Sequence, residues 1–133
     1  MSSYKVAQAA QLLGVSDDTV RRLIGAGTLP VTEATPAEVP GAALAEYAVA
    51  LAGQTADPTG VHSSARNRFV GLVTRVVVDG VMAQVDIQSG QHRVVSLMSA
   101  EAVRELQLDV GALAVASVKA TNITVEIARS KNA

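Results

Sequence analysis

The chain has 133 residues, 49% of them hydrophobic, and a net charge of −1, so it is long enough for one domain or two very small ones. It contains no cysteine and only 2% aromatic residues, which excludes disulfides, thiolate metal sites and recognition by stacked aromatic rings. The near-neutral charge argues against nonspecific nucleic-acid binding. No apolar run could span a bilayer and the start lacks a signal peptide, so we expect a cytoplasmic protein that does not enter a membrane.

The periodicity of the apolar residues changes along the chain and predicts two domains. Residues 1–52 have helical periodicity and carry three bases against five acids. Residues 64–129 have the alternation of strands and carry seven bases against six acids. The stretch 53–63 is poor in apolar residues and contains Gly and Pro, which is typical of a flexible linker, and 130–133 would be a short tail.

The first domain is predicted to contain three helices. The first is Val6–Leu13, and Gly14 follows as the turn. Ser16 is the expected N-cap of a second helix that ends at about Ala26, with two aspartates in its first turn. A third helix, Gly41–Ala52, would close the bundle. The expected core residues of this small domain are Ala9, Leu13, Val15, Val20, Leu23 and Ile24.

The segment Tyr4–Ile24 resembles the helix-turn-helix of the MerR and excisionase-like families, because a glycine turn, a capping serine and paired arginines occur together. The resemblance implies that the second helix enters the major groove of DNA. The side chains that would then lie nearest to DNA are Ser16, Asp17, Thr19, Val20, Arg21 and Arg22. The following segment, Val31–Val39, which we call the wing, contains Glu33 and Glu38 where relatives carry arginines. These carboxylates would repel phosphate, so an assembly role for this domain is the alternative.

The second domain is predicted to be a five-stranded, OB-like β-barrel with one short helix, which makes the whole chain α+β. Asp79–Gly80 and Ser89–Gly90 are the expected tight turns, and Ser99–Leu106 is the expected helix with Ser99 as its cap. The predicted strands are Phe69–Val78, Val81–Ile87, Arg93–Leu97, Ala112–Lys119 and Ile123–Ile127.

Two segments of this barrel, Ser64–Gly71 and Val118–Val125, are similar to signature segments of molbindins and related TOBE domains. The stretches between them, such as Gly80–Val85 and Ala102–Leu108, follow the same family order. The resemblance implies a bound molybdate or tungstate ion, held where barrels meet, and therefore a homo-oligomer. It implies no organic cofactor and no protein side chain bonded directly to the metal.

The residue types in the two segments suit such an ion, since a doubly charged oxyanion needs several N–H and O–H donors and some compensating positive charge. The expected binding residues are Ser64, Ala65, Arg66, Asn67, Lys119, Ala120 and Thr121. An alternative is that Arg66 and Arg68 are solvated edge residues that discourage strand-to-strand aggregation. His62, His92, Met82 and Met98 are expected to have no ligand role.

The sequence contains no recognisable arrangement of nucleophile, base and orienting acid, so we expect a binding protein and not an enzyme. The leading hypothesis is a transcriptional regulator that responds to molybdate or tungstate and also binds DNA. One alternative is an oligomer that stores or buffers the oxyanion. Another is an accessory module of a transporter or of a cofactor-assembly enzyme.

Overall fold

The structure is a computed structural model that describes residues 2–53 and 57–128. The chain divides into two compact units, Met1–Ala56 and Asp57–Ala133. The predicted tail 130–133 and part of the predicted linker lie outside the described residues. Within the part that the structure describes, no helix has the length and apolar character that a membrane span requires.

The first unit contains the three predicted helices, and the structure confirms them. They are α1 (Val6–Leu13), α2 (Asp17–Gly25) and α3 (Gly41–Ala52). A two-residue antiparallel ladder, which pairs β1 (Ser3–Tyr4) with β2 (Val39–Pro40), joins the start of the unit to the segment before α3. This ladder was not predicted, because strands of two residues have no measurable periodicity.

The turn between α1 and α2 is built as predicted. Gly14 has φ of 72°, a left-handed conformation that glycine adopts without steric cost. The Ser16 side chain accepts a hydrogen bond from the backbone N–H of Thr19 at 3.1 Å, so it caps α2. Leu13, Val15, Leu23 and Ile24 are partly buried at the edge of the core. The buried core consists of Ala9, Ala10, Val20, Leu29, Val39 and Leu44.

The second unit is a curled antiparallel sheet with one short helix, which confirms the α+β fold class. Its strands lie in the order β5-β4-β3-β6. Its elements are β3 (Asn67–Asp79), β4 (Met82–Ser89), β5 (His92–Ser99), α4 (Ala100–Glu105) and β6 (Leu113–Val118). The Ser99 side chain accepts from the N–H of Ala102 at 3.0 Å and caps α4 as predicted.

The predicted fifth strand, Ile123–Ile127, is wrong. Residues 123–128 form no β-ladder with any described residue, and the side chains of Val125 and Ile127 are 87% and 93% exposed. Alternating apolar residues indicate which side chains would share a face, but they do not say which strand edge the segment would pair with. The described sheet therefore has four strands and is open between β5 and β6.

Asp86 on β4 is the one buried charged side chain among the described residues. Arg93 donates to its Oδ2 from both Nε and Nη2, at 3.0 and 2.9 Å, and Gln84 donates to its Oδ1 at 3.0 Å. The hydrogen bonds from Gln84 and Arg93 lower the pKa of Asp86 below its ordinary value. Because Arg93 is on β5, the ion pair joins these two strands.

Gly71 on β3 lies against the backbone of β4 at Gln88. A Cβ atom at this position would lie 2.2 Å from the backbone oxygen of Gln88. We expect Gly71→Ala to lower the free energy of unfolding of the second unit by roughly 1–3 kcal/mol, because the backbone of β4 would have to move. Urea unfolding monitored by far-ultraviolet circular dichroism measures this change. The control is Gly25→Ala, whose Cβ would meet nothing within 4 Å; an equal loss in both variants would contradict the prediction.

Candidate functional site

The pairing of β3 with β6 brings the two signature segments of the barrel together. Asn67, the first residue of β3, lies opposite Val118, the last residue of β6. The Asn67 side chain donates from Nδ2 to the backbone oxygen of Val118 at 3.3 Å. The chain before β3 and the chain after β6 therefore leave the sheet side by side.

These two stretches line a cleft of about 740 Å³. The residues that line it are Ser63, Ser64, Ala65, Arg66, Ser117, Val118, Lys119, Ala120, Thr121 and Asn122. Six of the seven predicted binding residues are among them. The seventh, Asn67, does not line the cleft. Its side-chain hydrogen bond to Val118 joins the two stretches that do. The structure thus collects residues that are more than fifty positions apart in the sequence.

Local turns set the backbone on both sides of the cleft. After β6, Ala120–Asn122 forms a single 3-10 turn in which the N–H of Asn122 donates to the oxygen of Lys119 at 2.9 Å. The turn leaves the N–H groups of Ala120 and Thr121 without an acceptor inside the turn itself. On the other side, the N–H of Ala65 donates to Oγ of Ser63 at 3.1 Å, so it would have to change partner to bind an anion.

The charge of the cleft is positive, because Arg66 and Lys119 line it and no aspartate or glutamate does. Neither cation forms an ion pair with any residue in the ranges 2–53 and 57–128. Hydroxyl and amide groups supply further donors around them. Among the described residues, no group of three or more His, Asp or Glu side chains could hold a metal ion. The arrangement can bind an anion through charge and hydrogen bonds.

Four residues that line the cleft were not among the expected binding residues: Ser63, Ser117, Val118 and Asn122. Ser63 had been assigned to the linker, Asn122 directly follows the expected residue Thr121, and Ser117 and Val118 directly precede Lys119. Ser117 lies opposite Arg68 in the ladder, so a strand register would have been needed to find it. Asn122 could have been found from its position beside Thr121, since its amide is a donor of the same kind as that of Asn67.

The structure corrects one residue of the predicted DNA-binding surface. Val20 is fully buried in the core of the first unit, so its side chain cannot reach a base. Ser16 and Thr19 occupy the capped start of α2, and their hydroxyl oxygens lie 2.9 Å apart. Both are therefore engaged in the cap, although neither is buried.

The two arginines of α2 differ in their surroundings. Nη1 of Arg21 donates to Oδ1 of Asp18 at 3.0 Å, and its Nη2 lies 4.0 Å from Oδ2 of Asp17. Arg22 is exposed and has no ion pair with any described residue. The charge of Arg21 is thus partly compensated within its own helix, while that of Arg22 is not.

The wing is a closed loop with exposed negative charge. The N–H of Thr32 donates to the oxygen of Glu38 at 2.8 Å, which joins its two ends. Glu38 accepts a hydrogen bond from Oγ of Ser3 at 2.6 Å, and Glu33 is exposed. The Glu33 carboxylate of the wing is therefore solvated, whereas the Glu38 carboxylate is held against β1.

Two family models match separate parts of the chain. Residues 3–48 match the family described as helix-turn-helix domain, and residues 63–125 match the family described as TOBE domain. No curated protein matches the chain.

Three solved structures are similar to about half of the chain. MopII from Clostridium pasteurianum is 31% identical over 50% of this chain and 100% of its own, with a TM-score of 0.47. A molybdate-binding protein from Sporomusa ovata is 28% identical over 50% of this chain and 100% of its own, with a TM-score of 0.48. The cytoplasmic molybdate-binding protein ModG is 37% identical over 48% of this chain and 46% of its own, with a TM-score of 0.43.

The N-terminal part of the chain belongs to the helix-turn-helix domain family, and its C-terminal part belongs to the TOBE domain family.

Proposed function

We propose that the second unit binds a tetrahedral oxyanion, molybdate or tungstate, in the cleft beside Arg66 and Lys119. The observation that carries the proposal is the β3–β6 register, which places both cations on one cleft whose lining contains no acid. Molybdate is the ion named for two of the solved relatives described above. The ion would be bound and released unchanged, without a catalytic step.

The donors around the cleft match the needs of a doubly charged oxyanion. Arg66 and Lys119 compensate its charge, while the hydroxyl groups of Ser64 and Thr121 donate to its oxygens. The N–H groups of Ala120 and Ala65 would add backbone donors, the latter after release from Ser63. Charge-assisted hydrogen bonds of this kind are the strongest that a protein can offer an anion.

A single copy of the chain leaves this site open to water. Ser64, Arg66, Lys119 and Thr121 are all exposed, and water weakens the attraction between exposed charges. A second copy that covers the cleft would exclude water and could add donors of its own. We therefore propose that the complete site forms in a homo-oligomer of the barrels.

The apolar surfaces of the second unit support this assembly. An apolar groove of about 630 Å³ opens between β5 and β6, and it includes the core side chains of Val85 and Ile87. Val125 and Ile127, which directly follow the cleft, are almost completely exposed. Apolar surfaces of this kind mark interaction sites. In the proposed oligomer, residues 123–127 of one copy cover the groove of another.

The first prediction concerns anion affinity. We expect isothermal titration calorimetry to detect molybdate binding, and Lys119→Ala to weaken it by roughly 10- to 100-fold because a charge-assisted hydrogen bond is lost. The matched control is Arg104→Ala, which removes an exposed cation of α4 outside the cleft. The absence of heat with both molybdate and tungstate would reject the proposal, as would equal losses in the two variants.

The second prediction concerns assembly. Native mass spectrometry of the full chain should show an oligomer, and Ile127→Asp should shift it toward the monomer because a charge would enter an apolar groove. Glu126→Gln changes the neighbouring residue without adding charge and should leave the oligomer intact. An unchanged oligomer in Ile127→Asp would show that this segment does not form the contact.

We further propose that the first unit binds DNA and that anion binding by the barrels changes this affinity, which would make the protein a transcriptional regulator. The helix-turn-helix family and the exposed, uncompensated Arg22 support the proposal. Linkage requires the anion to bind one arrangement of the oligomer more tightly than another. The acidic wing and the pairing of Arg21 with Asp18 favour the alternative, an oligomer that stores or buffers the oxyanion.

The third prediction separates these two functions. In a gel-retardation assay with duplex DNA from upstream of the protein's own gene, a regulator should bind with an affinity that changes with molybdate and falls with salt. Arg22→Ala should weaken binding by roughly tenfold, and more than Arg21→Ala does, because Arg21 is already paired. A storage oligomer would instead bind many anions and show no specific DNA complex at any molybdate concentration.

A further inference from the structure

A half-buried ion pair joins the segment before the cleft to the sheet. Nη2 of Arg68 on β3 lies 3.1 Å from Oδ2 of Asp57, and their side chains are 23% and 33% exposed. The same Nη2 donates to the backbone oxygen of Val61 at 3.3 Å. We call these contacts of Asp57, Val61 and Arg68 the clasp. Asp57 and Val61 lie in the stretch 53–63, whose composition predicted only a flexible linker.

Asp57 is held in position for this contact by its own neighbours. Its Oδ1 accepts hydrogen bonds from the N–H and from Oγ1 of Thr59, at 2.8 and 2.6 Å. The N–H of Val61 in turn donates to Oγ1 of Thr59 at 3.3 Å. The bonds from Thr59, and then the charge and hydrogen bond of Arg68, lower the pKa of Asp57 below its ordinary value. The carboxylate therefore stays charged at neutral pH.

Arg68 itself is not the solvated edge residue that its position at a strand entrance suggests. Its Nε is buried and has no hydrogen-bond partner among the described residues. A buried, unpartnered N–H is unfavourable, so the contacts of the rest of the guanidinium must hold the side chain there. Those contacts are the ones with Asp57 and Val61.

The clasp fixes one end of the segment that lines the cleft. Residues 62–66 lie between two attached residues. Val61 on one side accepts a hydrogen bond from Arg68, and Asn67 on the other side is bonded to Val118. Ser63, Ser64 and Arg66 lie in this short segment and line the cleft. Because both ends are attached to the same sheet, the segment loses little further conformational freedom when it binds a ligand.

We propose that Arg68 is a positioning residue for the oxyanion site, which it prepares by holding Asp57 and Val61 against the sheet. This inference rests on the proposed function of the cleft. Arg68 does not line the cleft, so its effect on the anion passes through the segment 62–66. The role is separate from that of Arg66, which would contact the anion directly.

The direction in which one substitution changes the molybdate affinity distinguishes a positioning role from a purely electrostatic one. Asp57→Asn removes a negative charge from the neighbourhood of the cleft, which by Coulomb attraction alone would make molybdate bind more tightly. If the clasp positions the segment, the same substitution should instead weaken molybdate binding by roughly three- to tenfold. Asp57→Glu, which retains the charge, should restore most of the affinity.

The experiment measures molybdate affinity by calorimetry in the full chain, together with hydrogen exchange of the amides of residues 57–66 without anion. Asp57→Asn and Arg68→Gln should each accelerate exchange in this segment and weaken binding, and the double variant should lose little more than either one. Asp109→Asn, which removes an exposed carboxylate from another loop, is the control and should change neither.

The outcomes separate the two proposals. If the unchanged protein binds neither molybdate nor tungstate, the proposed function fails and the positioning role fails with it, while hydrogen exchange still reports whether the clasp holds the segment. If the unchanged protein binds but Asp57→Asn binds equally or more tightly, the positioning role is overturned and the anion site stands. Additive losses in Asp57→Asn and Arg68→Gln would also overturn it, because the two residues would then act separately.

Discussion

The register between β3 and β6 is the constraint on which the second unit depends. Because side chains alternate along a strand, a slip of one residue would turn the whole of β3 over and take Val73 out of the core. The same register sets Asn67 opposite Val118. One register therefore determines both which side chains of β3 enter the core and where the two proposed binding segments meet. Gly71 contributes to this arrangement on the other edge of β3, where no side chain would fit against Gln88.

The electrostatics of the second unit differ between the sheet and the cleft. On the sheet, Asp86 is buried and each of its oxygens accepts a hydrogen bond, so its charge is compensated inside the fold. In the cleft, Arg66 and Lys119 are exposed and have no carboxylate partner among the described residues. Uncompensated charges close together repel each other, and an anion between them would remove that repulsion. Among the described residues, the cleft therefore combines two cations that have no carboxylate partner on one surface.

The helices could be predicted from local sequence signals, whereas contacts between residues distant in the sequence could not be predicted. The bounds of α1, the Gly14 turn and the Ser16 cap follow from residues within a few positions of each other, and the structure confirms them. The expectation of seven binding residues came from family segments, and six of the seven line the cleft, but finding Ser117 required a register that no local pattern contains. The segment Ile123–Ile127 has the alternation of a strand but forms no ladder with any described residue, because alternation does not specify which strand edge a segment pairs with.

In the first unit, the features that stabilise α2 oppose the function expected of it. Asp17 and Asp18 lie in the first turn, where carboxylates stabilise a helix through its dipole. The same carboxylates lie beside Arg21 and would face the phosphates of a bound duplex. A surface with this charge gains little nonspecific affinity from one copy, and two or more copies of the first unit acting together would bind DNA more tightly than one. Assembly through the barrels would supply that multivalency, which links the proposed DNA binding to the same oligomer that would complete the anion site.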